Sequence, residues 1–461
     1  MGAKQSARSL PTTGEDVNFD HFKILRAIGK GSFGKVCIVK KKDRTGNMFA
    51  MKYVHKWECY ERGALTNVAR EVEILSKLEH PFLVNLWFSF QDEEDLFMVS
   101  DLLLGGDLRY HIQQAVKFSE DSIVLFVAEI ALALDYLQNK KIIHRDIKPD
   151  NIVLDEEGHA HVTDFNIATR LEDGQLATSM SGTKPYMAPE IYMCSCDETG
   201  VLGYGYSVDW WSLGILAWEI LAGTRPYPLH ASTTHREALE ILQDGRHSPK
   251  HWSSSIQELL DRLLTLAPDA RVSTLKEFKY ISIMSELDFD MVLSKKVKPP
   301  FTPPKDHLNC DPTHELEEMI IEERPLHKKK KRLAKQRSLE VKSLAQDVLA
   351  AEGSPKSKKL ECIPEYLTFN REWELKRIEE ERKEKQWEEE LNNAMMNAET
   401  HEQRLSRINQ KLIPKTVNRL SLSNANVKAR ISASPLQNRR KSAATSSDMD
   451  FIDASPEPST S

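Results

Sequence analysis

The spacing of apolar residues changes once along this chain, and that change limits the folds open to it. The segments "FKILRAIGKGSFGKVCIVKK" (22–41) and "MFAMKYV" (48–54) are apolar, β-branched runs broken by glycines, which predicts strands. From about residue 107 to 285 the sequence takes on helical character. A β-rich first part, a helix-rich second part and a joint at Gly105-Gly106 together predict an α+β fold.

The β-rich part also contains one helical segment. Residues 64–79, "ALTNVAREVEILSKLE", place Val68 and Val72 on one apolar stripe. The runs "FLVNLWFSF" (82–90) and "LFMVSDLL" (96–103) follow and predict two further strands around a polar turn. The predicted order is therefore strands, one helix, two strands and then helices.

Composition and charge argue against several classes of protein. The 461 residues carry a net charge of only −6, which does not favour a globally basic nucleic-acid binder. The longest apolar run, "IVLFVAEIALAL" (123–134), contains Glu129 and is too short to span a bilayer, so we expect a buried core helix. Six cysteines show no paired metal-binding spacing, which predicts reduced thiols in a cytosolic protein.

A glycine motif lies between the first two predicted strands. "GKGSFGKV" (29–36) has the spacing Gly29-x-Gly31-x-x-Gly34, which alone fits three kinds of nucleotide-binding loop. A P-loop needs Ser or Thr after the lysine, whereas this chain has Val36. A dinucleotide-binding turn opens a helix, whereas here a strand continues. The arrangement strand, glycine loop, strand favours a loop that covers the phosphates of ATP.

Two charged residues downstream fit the same chemistry. Lys52 lies on the next predicted strand, where its ammonium can reach the α- and β-phosphates. Glu71 lies on the following helix and can hold Lys52 in position. Taken singly, the lysine would be a solvent-facing strand residue and the glutamate a surface charge. Their order after the glycine loop favours a role in binding ATP.

The segment "IIHRDIKPDN" (142–151) carries the strongest chemical signal. It matches H-R-D-x-K-x-x-N, in which Asp146 would orient a substrate hydroxyl and accept its proton. Lys148 would neutralise charge on the transferred phosphoryl group, and Asn151 would hold a second Mg²⁺. Asp164, in "HVTDFNIATR", would hold the main Mg²⁺, for which Mn²⁺ can substitute. Together these residues predict phosphoryl transfer from ATP.

In their order and spacing these motifs resemble the eukaryotic protein kinase family over residues 22–282. Lys148, with Thr183 in "GTKPYMAPE", resembles the serine/threonine branch. Residues 288–304, "DFDMVLSKKVKPPFTPP", resemble the C-terminal tail of the AGC group. "DVNFDHF", "GKGSFGKVCIV", "DLLLGGDLRYH", "TDFNIA" and "PLHKKKKRLAK" are similar to the YANK family within that relationship.

The resemblance implies a bilobal fold and a non-specific serine/threonine protein kinase (EC 2.7.11.1) with a signalling role. It implies a leader over residues 1–21, a kinase domain over 22–282 and an AGC-like tail over 283–326. Residues 327–461 would hold a basic run, a charged helix and a largely disordered tail. The implied partners are ATP and protein substrates with Ser or Thr, with no nucleic acid and a monomeric chain.

The resemblance also assigns site residues. The ATP site would comprise Ile28, Gly29, Lys30, Gly31, Ser32, Phe33, Gly34, Lys35, Val36, Ala50, Lys52, Glu71, Asp101, Leu103 and Asp107. Asp101 and Leu103 would bind adenine through backbone groups, beside a small gatekeeper, Ser100. Asp107 would contact the ribose.

The activation segment would comprise Ser179, Thr183 and Glu190. Ser179 lies where AGC kinases carry a phosphate, with Arg145 as one partner for that charge, although Thr178 and Ser181 are alternative acceptors. In the resembled fold Glu190 would pair with Arg271, and Asp209 would brace the catalytic loop. Asp150 and Glu219 lie where related kinases read basic substrates, which is too little to predict a consensus.

Asn166 departs from the usual Asp-Phe-Gly turn. Glycine there supplies backbone freedom, including positive φ, and asparagine is the residue that best tolerates left-handed geometry in its place. We therefore expect Asn166 to alter switching of the turn and to leave the chemistry intact. The alternative is a nucleotide-binding pseudokinase or scaffold, and Asn166 is the feature that favours it.

The two ends of the chain carry further signals. "MGAKQS" matches the N-myristoylation pattern at Gly2, although a plain N-terminal leader is the alternative. One myristoyl chain needs a second membrane signal, and the basic run 328–332 is one candidate. A solvated linker and a nuclear localisation signal are the others. The favoured location is cytoplasmic, with the plasma-membrane surface as a further site.

The C-terminal region departs from the AGC pattern. It has no aromatic motif of the kind that docks on the small lobe, and "EYLTFNRE" (365–372) matches that pattern poorly. The resemblance therefore does not support a prediction of regulation by that route. Residues 371–390 are rich in opposite charges four positions apart, which predicts a solvated single helix extending to about residue 411.

Overall fold

The computed structural model describes residues 17–30, 34–196, 200–246, 248–313, 326, 329, 363 and 366–411. The chain divides into two compact units, residues 1–384 and 385–461. The first unit holds every element described below except the C-terminal portion of the last helix. In the second unit the structure describes residues 385–411 of that helix.

The described strands are short and antiparallel where they pair. They are β1 (Phe22–Lys30), β2 (Lys35–Lys41), β3 (Met48–His55), β4 (Leu86–Gln91), β5 (Asp95–Ser100), β6 (Ile142–Ile143), β7 (Ile152–Leu154), β8 (Ala160–Val162), β9 (Thr169–Arg170) and β10 (Phe369–Asn370). Six of them form one sheet in the order β1-β2-β3-β5-β4-β10. The pairs β6–β9 and β7–β8 form two small ribbons beside the segment that carries Asp146.

The described helices lie mostly after the sheet. They are α1 (Lys56–Glu61), α2 (Leu65–Leu75), α3 (Leu108–Gln113), α4 (Glu120–Asn139), α5 (Pro189–Met193), α6 (Ser207–Ala222), α7 (His235–Gln243), α8 (Ser254–Leu263), α9 (Leu275–Phe278), α10 (Ser282–Ser285), α11 (Phe289–Leu293) and α12 (Arg371–Lys411). A β-sheet lobe is followed by a helical lobe, which is the bilobal arrangement that the sequence predicted. Among the described residues, no helix is long and apolar enough to cross a membrane.

Two apolar cores hold the sheet and the helical lobe. Aromatic side chains fill one face of the sheet, where Phe22 stacks on Phe90 with ring centroids 5.9 Å apart. Phe19 stacks on Phe97 at 5.3 Å, so the folded chain begins before β1. The other core contains α2, α4 and α6. The apolar run 123–134 is buried in α4, as predicted.

The glycine joint between the lobes is closed by the tail. A Cβ built on Gly106 would lie 2.3 Å from the carbonyl oxygen of Asn309, and Gly106 has a φ of 79°. Asn309 in turn donates its side-chain N–H to the carbonyl of Leu104 at 3.0 Å. Only glycine permits this approach of two backbones. Asn309, in the segment predicted to be an AGC-like tail, is therefore packed against the joint itself.

A segment from far along the chain completes the small lobe. Strand β10 pairs with β4, placing Phe369 opposite Ser89. Tyr366 is buried, and its hydroxyl donates to the carbonyl of Phe97 at 2.7 Å. Arg371 is buried as well and donates to the carbonyl of Leu86 at 2.6 Å. The segment matches the AGC aromatic motif poorly, yet β-strand addition and buried hydrogen bonds hold it on the small lobe.

Lys329, the described residue of the basic run 328–332, is not available as part of a membrane signal. Its side chain is fully buried, with the ammonium 2.8 Å from a carboxylate oxygen of Asp92 and paired with Asp95 as well. A lysine that is buried between two acids cannot attract an anionic membrane surface. The other residues of the basic run 328–332 lie outside the described residues.

The Tyr366 hydroxyl gives a test of the docked segment. Tyr366→Phe is expected to lower the free energy of unfolding by about 1 kcal/mol, because a buried carbonyl loses its partner. Urea unfolding of the full chain measures the change. Tyr280 is 79% exposed, so Tyr280→Phe should leave the midpoint in place. Equal midpoints for wild type and Tyr366→Phe would show that this contact does not stabilise the protein.

Candidate active site

Lys52 and Glu71 are brought together across the sheet and α2. Lys52 lies opposite Val36 in the β2–β3 register. Its ammonium lies 2.8 Å and 3.0 Å from the two carboxylate oxygens of Glu71. Burial alone would lower the pKa of Lys52, but the Glu71 and Asp164 carboxylates outweigh it and raise the pKa above its usual value. Lys52 is therefore a fixed cation that faces the cleft.

Asp164 joins this pair from the turn that follows β8. One of its carboxylate oxygens lies 3.3 Å from the Lys52 ammonium. Burial would raise the pKa of Asp164, but the positive charge of Lys52 outweighs it and lowers the pKa. The Asp164 side chain is thus held as a carboxylate at neutral pH.

The backbone of this turn differs from the sequence expectation. The positive φ, 63°, belongs to Asp164, and Asn166 is absent from the described non-glycine residues with positive φ. Tolerance of left-handed geometry therefore does not explain the asparagine, and that part of the prediction was wrong. The Asn166 amide instead donates to the second carboxylate oxygen of Asp164 at 3.3 Å. A glycine could not make this contact.

Asp146 is surrounded by donors. Lys148 donates to one carboxylate oxygen at 2.7 Å, and Asn151 donates to the same oxygen at 2.9 Å. The Thr183 hydroxyl donates to the other oxygen at 2.6 Å. Thr183 reaches Asp146 from the activation segment, so an ordered segment and an oriented carboxylate occur together.

A buried acid accepts hydrogen bonds from the backbone of the loop that carries Asp146. The Asp209 carboxylate, near the start of α6, accepts from the backbone N–H groups of His144 and Arg145, each at 2.8 Å. Burial raises the pKa of Asp209. Arg145 has a φ of 68°, a conformation that a non-glycine residue adopts only when its surroundings enforce it. Asp209 supplies that constraint.

The residues expected around adenine lie at the joint between the lobes. The Asp101 backbone N–H is already used by the carbonyl of Asn85 at 3.1 Å, so only the Asp101 carbonyl is left for a ligand. The Asp101 carboxylate accepts from Asn85 and from the Trp87 indole N–H at 2.6 Å. Sequence reasoning did not anticipate these two partners. Leu103 follows two residues later and is half-buried.

The remaining ATP-site expectations are distributed over β1 to α3. Ile28, Gly29, Lys35, Val36 and Ala50 lie on β1, β2 and β3 as the pattern required. Lys30 ends β1. Gly34 follows the loop, and a Cβ there would lie 2.5 Å from the carbonyl oxygen of Tyr53. Gly31, Ser32 and Phe33 lie outside the described residues.

Asp107 has a structural role that sequence reasoning did not predict. One carboxylate oxygen caps α3 by accepting from the backbone N–H of Tyr110 at 2.7 Å. Burial raises the pKa of Asp107 to about 6.

The activation segment is anchored at both ends. Arg145 donates to the Ser179 hydroxyl at 2.7 Å, and the Tyr204 hydroxyl donates to the backbone carbonyl of Ser179. At the other end, Arg271 donates to the two carboxylate oxygens of Glu190 at 2.6 Å and 2.9 Å. Tyr204 is a partner that sequence reasoning missed, because nothing in its local pattern marks it.

The donor set suits a hard divalent cation bound with phosphates. Asp164 offers carboxylate oxygens, and Asn151 keeps its side-chain oxygen because its N–H groups face Asp146. Among the described residues no group of three or more His, Cys, Asp or Glu side chains could hold a metal alone. Mg²⁺ is usually bound by one or two protein oxygen ligands, and phosphate and water complete its coordination shell.

Comparisons with known proteins agree with this geometry. The protein kinase domain family matches residues 22–281. Human serine/threonine-protein kinase 32C is 53% identical over 383 residues, covering 82% of this chain and 77% of that protein. Human serine/threonine-protein kinase 32B is 58% identical over 325 residues, covering 70% and 78%. The chain therefore belongs to the protein kinase family. Its relatives place it in the AGC-related YANK branch, among serine/threonine kinases.

Proposed function

We propose that this chain transfers the γ-phosphoryl group of ATP to serine and threonine hydroxyls of protein substrates. The observation that carries the proposal is the convergence of Lys52, Glu71 and Asp164 at 2.8–3.3 Å beside an oriented Asp146. A kinase fold that had lost its chemistry would lack at least one of these groups or their alignment. Asn166 alone favours the scaffold alternative, and its side chain supports the Asp164 carboxylate.

The roles follow from charge and position. Asp146 accepts the proton of the attacking hydroxyl, and its Thr183 and Lys148 partners fix the direction of its oxygens. Lys148 is also placed to neutralise charge on the phosphoryl group in flight, and Lys52 binds the α- and β-phosphates. Asn151 and Asp164 would hold Mg²⁺, which when bound neutralises phosphate charge.

Nucleotide binding is proposed at the joint between the lobes. The Asp101 carbonyl and the Leu103 N–H would bind the adenine edge, with Ile28, Val36 and Ala50 packed against its faces. Ser179 is proposed as a phosphorylation site, because Arg145 already lies at hydrogen-bond distance from its hydroxyl.

The direct test is transfer of labelled phosphate from ATP by the purified full chain. The reaction contains Mg²⁺ or Mn²⁺ and is run with a generic protein substrate and without one. Label on serine or threonine of the substrate, or of the chain itself, is the expected result. No transfer under any of these conditions would favour the scaffold alternative.

We propose further that Gly2 is myristoylated. The lipid would bring a fraction of the protein molecules to a membrane surface. The support is the pattern "MGAKQS", since this segment lies outside the described residues. Binding by one chain is marginal, so a mixed cytoplasmic and membrane distribution is expected.

Fractionation of cells tests the lipid. Gly2→Ala is expected to move the membrane-bound fraction of the protein to the supernatant, because the acylated residue is removed. Gly14→Ala, in the same leader, serves as the matched control and should leave the distribution as in wild type. Equal distributions for wild type and Gly2→Ala would remove the proposal.

A further inference from the structure

A charged depression of about 300 Å³ adjoins the Asp146 cluster. Lys148 and Thr183, the two residues that hold the Asp146 carboxylate, form part of its lining. The depression therefore lies next to the place where a substrate hydroxyl must sit, and its volume suits one side chain of a substrate. If the proposed function holds, the residues that line this depression select which substrate side chain is accepted next to the phosphorylated serine or threonine.

Arg109 is paired with both acids in this depression. Arg109 donates to a carboxylate oxygen of Glu219 at 2.8 Å and to Asp150 at 3.2 Å. The Tyr186 hydroxyl also donates to Glu219. Glu219 is 5% exposed, so its partners surround it. A basic substrate residue would therefore have to displace Arg109 and Tyr186 to reach Glu219, whereas Asp150 is 47% exposed and shares one carboxylate oxygen with Arg109.

Arg225 is the remaining charge on the lining, and it is not neutralised. It follows the C-terminal end of α6, is half-buried, and forms no ion pair within the part of the chain that the structure describes. With Arg109 committed to Asp150 and Glu219, and Lys148 committed to Asp146, Arg225 has a guanidinium available to a ligand. The guanidinium group matches a carboxylate in two-point geometry.

We propose that Arg225 selects protein substrates that carry an aspartate or glutamate close to the phosphorylated serine or threonine. The acids at Asp150 and Glu219 would then serve to hold Arg109, and they would not read basic substrates. The proposal rests on the proposed kinase function and names its substrate class. The alternative is a purely structural role, in which the charge of Arg225 complements the helix dipole at the C-terminus of α6.

Peptides with one central serine in an alanine background test the preference. Aspartate, arginine or alanine is placed in turn at each of the three positions on either side, and kcat/KM is measured with the full-length wild-type chain. Aspartate at one or two positions is expected to raise kcat/KM about two- to five-fold over alanine, and arginine there to lower it. The preference should weaken in high salt, because the pair is partly exposed.

Variants of Arg225 assign the effect. Arg225→Ala should remove the aspartate preference, Arg225→Lys should keep part of it, and Arg225→Glu should turn it into a preference for arginine. An arginine preference in wild type, or an aspartate preference that survives in Arg225→Ala, would overturn the proposal. Thermal unfolding midpoints of the variants check that the fold is kept.

Peptide binding, followed by fluorescence anisotropy alongside turnover, separates this proposal from the proposed function. If wild type transfers phosphate to no peptide, to no generic protein substrate and not to itself, the kinase proposal fails, and the anisotropy series still decides the charge preference. If wild type phosphorylates all peptides equally and binds them equally, the kinase proposal stands and Arg225 does not select.

Discussion

Asp146→Asn is expected to lower kcat for phosphoryl transfer by about 10³-fold. A positioned general base contributes about 10²–10⁴-fold, and asparagine keeps the shape but cannot accept the proton. The amide also gives Lys148 no negative partner, so the orientation at 2.7 Å is weakened. ATP binding should change little, because Asp146 does not belong to the proposed nucleotide site. Steady-state kinetics and nucleotide titration measure the two quantities.

An exposed acid on the same lobe is the matched control. Asp121 lies in the first turn of α4 and is exposed, so Asp121→Asn should leave kcat within two-fold of wild type, on the order of what surface changes cause. If Asp146→Asn kept more than a tenth of wild-type kcat, Asp146 would not be the base.

Arg271→Met is expected to destabilise the protein by about 3–5 kcal/mol, because it leaves Glu190 as an uncompensated buried charge. Arg271 is 2% exposed and donates to both Glu190 oxygens, and it also donates to the carbonyl of Thr265 at 2.9 Å. Its guanidinium lies 5.1 Å from the Trp211 ring centroid. Urea unfolding of the full chain measures the loss.

A surface pair provides the comparison. Glu73 lies on α2 and Lys77 lies just after it, with the lysine ammonium 2.8 Å from a carboxylate oxygen of Glu73. The side chains of Lys77 and Glu73 are 53% and 61% exposed. Lys77→Met should cost about 0.5 kcal/mol or less, since solvent screens such pairs. Similar losses for Lys77→Met and Arg271→Met would contradict the assignment of Arg271 as a buried structural residue.

Much of the fold could be predicted from local pattern. The strand runs, the α2 stripe and the buried run 123–134 follow from spacing that neighbouring residues impose on one another. The convergence of Lys52, Glu71 and Asp164 could be anticipated because an ordered set of motifs matched one template. These features could be predicted because the spacing of apolar residues and the order of the motifs are visible in the sequence.

The docked C-terminal segment could not be predicted in this way. Tyr366 meets Phe97 across 269 positions, and Lys329 meets Asp95 across 234. No periodicity links partners so distant, and a lysine inside a basic run is normally solvated. Burial of such residues depends on a cavity that only the folded lobe provides.

The metal turn shows a different limit. Sequence reasoning placed the left-handed conformation at Asn166, where glycine is usual, whereas the structure places it at Asp164. Backbone conformation at one residue depends on the hydrogen bonds of the whole turn, which a propensity cannot supply. Likewise, the commitment of Glu219 to Arg109 and Tyr186 depends on side-chain geometry between α3, α6 and the activation segment.

The most direct measurement is transfer of labelled phosphate by purified wild type, Asp164→Ala and Asn166→Gly, each at equal concentration with Mg²⁺ and a generic substrate. We expect transfer by wild type, loss of transfer in Asp164→Ala, and transfer at an altered rate in Asn166→Gly, since the amide that supports Asp164 is removed. The contradicting result is an inactive wild type that gains transfer on Asn166→Gly, which would identify the asparagine as the block and the chain as a scaffold.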